Sequence, residues 1–191
     1  MKQKNRFLFI LCLTGFFTVG VPGCEPDYYA IRDITRVEIF DPVTRTFLHS
    51  PGSTTSDSIS LVLSLEFVGF SMHHIRFTGM MNEAWATSPE IPILANEIRD
   101  IRVFSDQPIY GFTLGENISS QLEFGFGSSE NFTLSEYLEM LPGKGDSSYG
   151  FSPLFVNFTS KPIVGFYSFT VEIEDNNGHV FTSTAPTLEW L

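Results

Sequence analysis

The sequence predicts an all-β fold: one sandwich of about 7–9 short antiparallel strands with a single short helix. Three observations predict it. Apolar and polar residues alternate at period two along most of the chain, as half-buried strands require. Short runs of this kind are separated by Gly, Pro, Ser and Asn. Helical spacing of apolar residues is clear at one place, Leu134, Tyr137, Leu138 and Leu141.

Weaker strands are expected at Arg36–Phe40, Ile75–Thr78, Ile101–Phe104 and Leu154–Phe158. A stronger one runs through ISLVLSLEF, where Ile59, Leu61, Leu63, Leu65 and Phe67 share one face while Ser60, Ser64 and Glu66 lie on the other. Alternation returns in Tyr110, Phe112 and Leu114, and again in Leu122, Phe124 and Phe126, with GENISS as the turn between them. Thr133-Leu134-Ser135-Glu136 has the form of a capping box, so the helix is expected to start there and to stop at Pro142-Gly143. The C-terminal unit is a hairpin: Tyr167, Phe169, Val171 and Ile173 alternate with polar residues, Asn177-Gly178 suits a tight turn, and the chain returns through Val180–Thr184 toward Pro186. His49–Asp57 and Pro142–Pro153 read as loops. The 20 phenylalanines are enough to build a core without disulfides. A closed barrel is the alternative to the sandwich.

The first six residues carry Lys2, Lys4 and Arg6, and Phe7–Val21 is an uncharged apolar run closed by Pro22-Gly23. This is the pattern of a secretory signal, and it is short for a helix spanning about 30 Å of hydrocarbon. Of the two cysteines, Cys12 lies inside the run and Cys24 follows it. After cleavage Cys24 has no disulfide partner in the chain. The organisation read from this is a leader at 1–23, a short tether at 24–30 and an Ig-like β-sandwich domain at 31–191. Residues 24–191 keep 8 basic against 22 acidic residues, a formal charge of −14. Such a field repels phosphate backbones and anionic lipid, which argues against nucleic acid as a partner.

Val21-Pro22-Gly23-Cys24 resembles the bacterial lipoprotein cleavage box. Together with Glu25, Asp27 and the Phe/Tyr-rich terminal hairpin, it makes the chain similar to the small lipoproteins of Bacteroidetes-type bacteria. The resemblance implies that Cys24 takes a diacylglycerol, that the leader is cut before it, and that the new amino terminus receives a further fatty chain such as palmitate. It implies a lipid-anchored outer-membrane protein facing either side, and it supplies no catalytic residues.

No nucleophile elbow, zinc-protease motif, phosphate loop or Cys-x-x-Cys occurs, and nothing points to a metal or cofactor. On a strand His73 and His74 would point to opposite faces, which does not suit one metal ion. Asp175-Asn176-Asn177-Gly178, with Glu172 and Glu174 before it, lacks the closing glutamate of a calcium loop. The 22 acids offer many carboxylate pairs for glycoside hydrolysis, but no spacing nominates one. Glu136 and Glu139 are three apart on the helix, and Glu136 already serves the cap. The loop aromatics Tyr149, Phe151 and Trp85 are the expected ligand contacts, for a glycan or an envelope protein. The function expected is therefore a lipid-anchored binding or assembly module; a carboxylate-based glycan hydrolase and a structural subunit of a surface complex are the competing readings. Sequons at Asn117, Asn131 and Asn157 carry little weight in a bacterial chain.

Overall fold

The computed structural model describes residues 28–49, 51–70, 93–141 and 153–191. Among them are twelve strands: β1 (Tyr28–Asp41), β2 (Thr46–Leu48), β3 (Gly52–Thr54), β4 (Ile59–Phe70), β5 (Ile93–Leu94), β6 (Ile98–Ser105), β7 (Glu123–Gly125), β8 (Leu154–Phe158), β9 (Gly165–Tyr167), β10 (Phe169–Asp175), β11 (Val180–Thr184) and β12 (Leu188–Trp190). One α-helix, α1 (Leu134–Met140), and a 3-10 turn at Ser119–Gln121 complete them. The strand expected at Ile75–Thr78 lies outside the described residues. Tyr28–Ala30, read as tether, is already strand in β1.

The strands form three sheets. The largest has the order β2-β1-β4-β8-β7, with β5 joining the free edge of β1; the second is β11-β10-β6; the third is β3-β12-β9. The fold is thus mostly β, as expected, but two pairings are parallel, β1 with β5 and β3 with β12. The additional strands have two or three residues each, too few for a period to register in the sequence. Gly52–Thr54 lies within the stretch read as a loop. It is strand because Leu188–Trp190 lies against it.

β1 shows how the sheet accepts an irregular sequence. Its buried residues Ile31, Ile34, Val37 and Ile39 are spaced by three, three and two, which is not a strand period. Their partners on β4 are Phe67, Leu65, Leu63 and Leu61, spaced by two. The pairing shifts register between Ile31 and Asp33 and again between Ile34 and Arg36, leaving Arg32 and Thr35 as bulge residues. Each bulge absorbs one residue and returns the next apolar side chain to the core.

One apolar core joins all three sheets. Phe158 on β8 meets Phe169 on β10 with ring centroids 4.7 Å apart, linking the two larger sheets. On one side β11 runs beside β1; on the other, α1 packs against β6 and β7. The helix is there because Tyr137 is fully buried against Phe124 and Phe126, with centroids at 6.0 and 4.9 Å. Burial pushes the Tyr137 hydroxyl far above its usual range, and the Glu130 carboxylate adds to the shift, so the side chain stays neutral. Gly125 lets the chain fold over β7: a Cβ there would lie 2.7 Å from the Glu130 carbonyl oxygen. The capping box forms as expected, with the Thr133 hydroxyl accepting from the Glu136 amide and the Glu136 carboxylate accepting from the Thr133 amide. Thr133→Ala should cost about 1 kcal/mol of stability in urea unfolding, since it leaves a first-turn amide without its acceptor.

Two turns differ from expectation in an instructive way. Tyr110–Leu114 is not a strand. Ile109 and Phe112 exchange backbone hydrogen bonds around Tyr110 and Gly111, whose φ angles are 52° and 88°, a type I′ turn with a tyrosine in a left-handed conformation. The Tyr110 hydroxyl donates to the Ser160 carbonyl, which helps hold it there. The terminal hairpin forms over the expected strands, yet its turn is not the two-residue Asn-Gly kind. Asp175 and His179 close a three-residue loop in which, of the loop residues, Gly178 alone has positive φ, at 82°. The reason lies in the Asp175 carboxylate, which accepts from the Asn177 and His179 amides and fixes a type I turn.

Candidate functional site

Cys24, Trp85, Tyr149 and Phe151, and with them His73 and His74, lie outside the described residues. The remaining candidates can be followed atom by atom. Glu172 and Glu174 stand on the exposed face of β10 and share the Arg102 guanidinium at 3.2 and 3.3 Å, while Arg99 reaches Glu174 at 3.5 Å. Their charge is spent on arginines, not offered to a cation. Among the described residues no group of three His, Cys, Asp or Glu side chains has the geometry to hold a metal ion.

The acids most tightly held serve the backbone. Asp41 ends β1, and its carboxylate accepts from the Val43 and Thr44 amides and the Thr54 and Ser56 hydroxyls. Burial raises its carboxyl, but those hydrogen bonds outweigh burial and hold it below the usual range. Asp175 is fully buried at the opposite end of the fold. Besides the two amides, it accepts from Asn96 Nδ2 at 3.0 Å and lies 3.0 Å from His179 Nδ1. Burial again opposes ionisation; the bonds from Asn96, His179 and Asn177 prevail and bring the carboxyl down to about 2. Asn96 also binds Ile31 through both its side-chain atoms, to the amide at 2.7 Å and the carbonyl at 3.2 Å. It extends the β5 pairing along β1 and couples that edge to the terminal hairpin. Of the sequon asparagines, Asn117 and Asn131 are exposed. Asn157 is buried, bonding Ser60 and the Glu130 carbonyl.

The surface feature that the sequence did not suggest is a tip made by the β8–β9 connection. Ile163, Val164 and Phe166 are 82%, 64% and 59% exposed, within four consecutive residues. Tyr167 explains the orientation. Its ring is buried against Phe169 and Trp190 and its hydroxyl donates to the Ile163 carbonyl at 2.6 Å, so strand alternation sends Phe166 outward. The ladder closes with Trp190 paired to Gly165, and exposed Leu191 follows directly after it. Lys161 donates to the Leu191 carbonyl and ties the two segments. A signal was present: Ile163-Val164 stands between Pro162 and Gly165, where a turn prevents an apolar pair from entering a ladder.

The tip lies far from the start of β1. Trp190 pairs with Thr54, and the Thr54 hydroxyl bonds Asp41 at the C-terminal end of β1. Tyr28 lies at the other end, opposite Phe70 on β4, and a strand of this length covers about 40 Å. Among the described residues no helix is long and apolar enough to cross a membrane. What the fold defines is a β-rich domain with an apolar tip at the end remote from the start of its N-terminal strand. Compared with protein-family models, curated proteins and solved structures, the chain matches none.

Proposed function

We propose that this protein is a lipid-anchored component of a bacterial cell envelope that binds or assembles with a protein partner. Cys24 is the acylated residue, and the domain is an Ig-like sandwich standing on a tether shorter than the seven residues of 24–30. One observation carries the binding role: the exposed run of Ile163, Val164 and Phe166 at the end remote from Tyr28. Apolar side chains clustered on a soluble surface cost solubility unless something covers them. A protein moored through Cys24 holds that tip about 40 Å away from its own bilayer.

Charge and area favour one kind of occupant. The tip exposes on the order of 400 Å², so two copies paired through it fall short of the roughly 1,200 Å² of a stable interface. Two copies also repel, because each carries −14 over residues 24–191. A partner with an apolar pocket and a basic rim has both terms in its favour, since Glu189 lies opposite Phe166 and Asp106 binds the Ser168 amide beside the tip.

Full-length protein in its host envelope tests this reading. Cys24→Ala should release folded protein from the membrane fraction after a carbonate wash. A photo-crosslinking side chain at position 164 should give one discrete adduct that is lost when Ile163 and Phe166 are both changed to Asp. Retention of Cys24→Ala in the membrane overturns the anchor. An adduct unchanged in the double variant, or one whose mass is twice that of the chain, overturns the partner.

A further inference from the structure

The geometry points to Asn177-Gly178 as a site of self-modification that Asp175 holds shut. Asparagine followed by glycine converts without an enzyme. The Gly178 nitrogen gives its proton to solvent and attacks the Asn177 side-chain carbonyl carbon. A five-membered succinimide forms and ammonia leaves, and water then opens the ring on either side. The net change is one water consumed and one ammonia released, leaving aspartate or isoaspartate at 177.

Three features of the β10–β11 turn bear on that reaction. Asn177 and Gly178 are both exposed, so water and base have access. The attacking nitrogen is engaged, because the Gly178 amide donates to the Asp175 carbonyl at 3.0 Å. The residues on both sides are pinned as well: the Asn177 and His179 amides each donate to Asp175 Oδ1 at 2.9 Å, and the Asn176 amide donates to the Glu97 carbonyl at 2.9 Å. Attack requires the nitrogen to release its acceptor and the backbone to leave the turn. The reaction therefore runs only in the open turn, and its rate in the folded protein is the peptide rate reduced by the opening equilibrium. The product worsens the opening, because it adds a carboxylate beside buried Asp175 and, in isoaspartate, one extra backbone carbon in a loop of three residues. Completed modification would thus loosen the Asn96–Asp175 tie between the hairpin and β1.

The test follows isoaspartate and the one-dalton mass gain at Asn177 by peptide mapping, in mildly alkaline buffer. Full-length protein in detergent is compared with a synthetic peptide of residues 172–181. The folded protein should be at least about tenfold slower, which corresponds to an opening cost of about 1.4 kcal/mol. Asp175→Ala, verified as folded by circular dichroism, should recover most of the peptide rate. If that variant does not fold, His179→Ala decides, since it removes one bond to the carboxylate and leaves the loop amides in place; its rate should rise several-fold. Equal rates for protein and peptide overturn the inference. So does a folded Asp175→Ala, or in its place a His179→Ala, as slow as the native chain.

Discussion

Asp175→Ala is expected to lower the unfolding free energy by about 3 kcal/mol at neutral pH and to flatten the acid side of the stability profile. The size follows from what the change strands. The Asn177 and His179 amides and buried Asn96 Nδ2 all point at the missing carboxylate, which is itself fully buried under the turn. The pH effect follows from linkage. The Asp175 carboxyl lies at about 2 in the folded protein against an ordinary 3.8. A depressed carboxyl contributes stability that is complete above its unfolded pKa and lost as pH falls through the folded value. For Asp175 that contribution is about 2 kcal/mol, lost between roughly pH 4 and pH 2. Asp41 is shifted in the same direction by its own hydrogen bonds and adds to the acid limb. Urea titrations of native protein and variant from neutral to acid pH should therefore converge as the acid end is approached. A constant gap down to pH 2 would mean that Asp175 acts through its shape and not its charge.

The alternation of Phe169 to Asp175 was legible in the sequence because that strand buries one face only, which writes a period of two into the chain; Ile59 to Phe67 alternates as well, although Ser60 and Val62 on its second face are also buried. Thr133 and Glu136 were legible because a capping box is a local device. β1 was only half visible. Ile31, Ile34 and Val37 are spaced for a helix, and only the pairing with Phe67, Leu65 and Leu63 shows that two bulges restore the period. The turn at Asp175 was visible as a turn, but its type was not, since the Asn177-Gly178 pair suits more than one loop and the Asp175 side chain chooses among them. The exposed apolar tip was not legible for a related reason. Aromatic loop residues draw attention as contacts, whereas Ile163 and Val164 fall in no alternating run and Phe166 only opens the stretch that becomes the terminal hairpin. Their exposure is decided by Tyr167, whose ring takes the inner face and leaves Phe166 the outer one.

Trp190→Ala should be the most damaging single truncation in the core, at about 4–5 kcal/mol, with Trp190→Phe recovering about half. Trp190 is fully buried, edge-on to Phe158 and Tyr167 at 6.2 Å each. Its indole nitrogen donates to the Ser56 carbonyl at 2.7 Å. Alanine therefore leaves a large cavity and an unmet carbonyl together, and a domain of ordinary stability has only about 5–15 kcal/mol to lose. The consequence reaches beyond the core. Trp190 pairs with Gly165 on one side and Thr54 on the other, so it joins the strand that carries the tip to the turn closed by Asp41. A variant that still folds at low temperature should show faster amide exchange in Gly165–Tyr167 than in Ile59–Leu63, because β9 has only three residues with which to hold its place. Uniform loss of protection across both strands would instead mark the small sheet as inseparable from the main one. In that case Phe166 is presented by the whole fold, and no weakening local to β9 could alter its exposure.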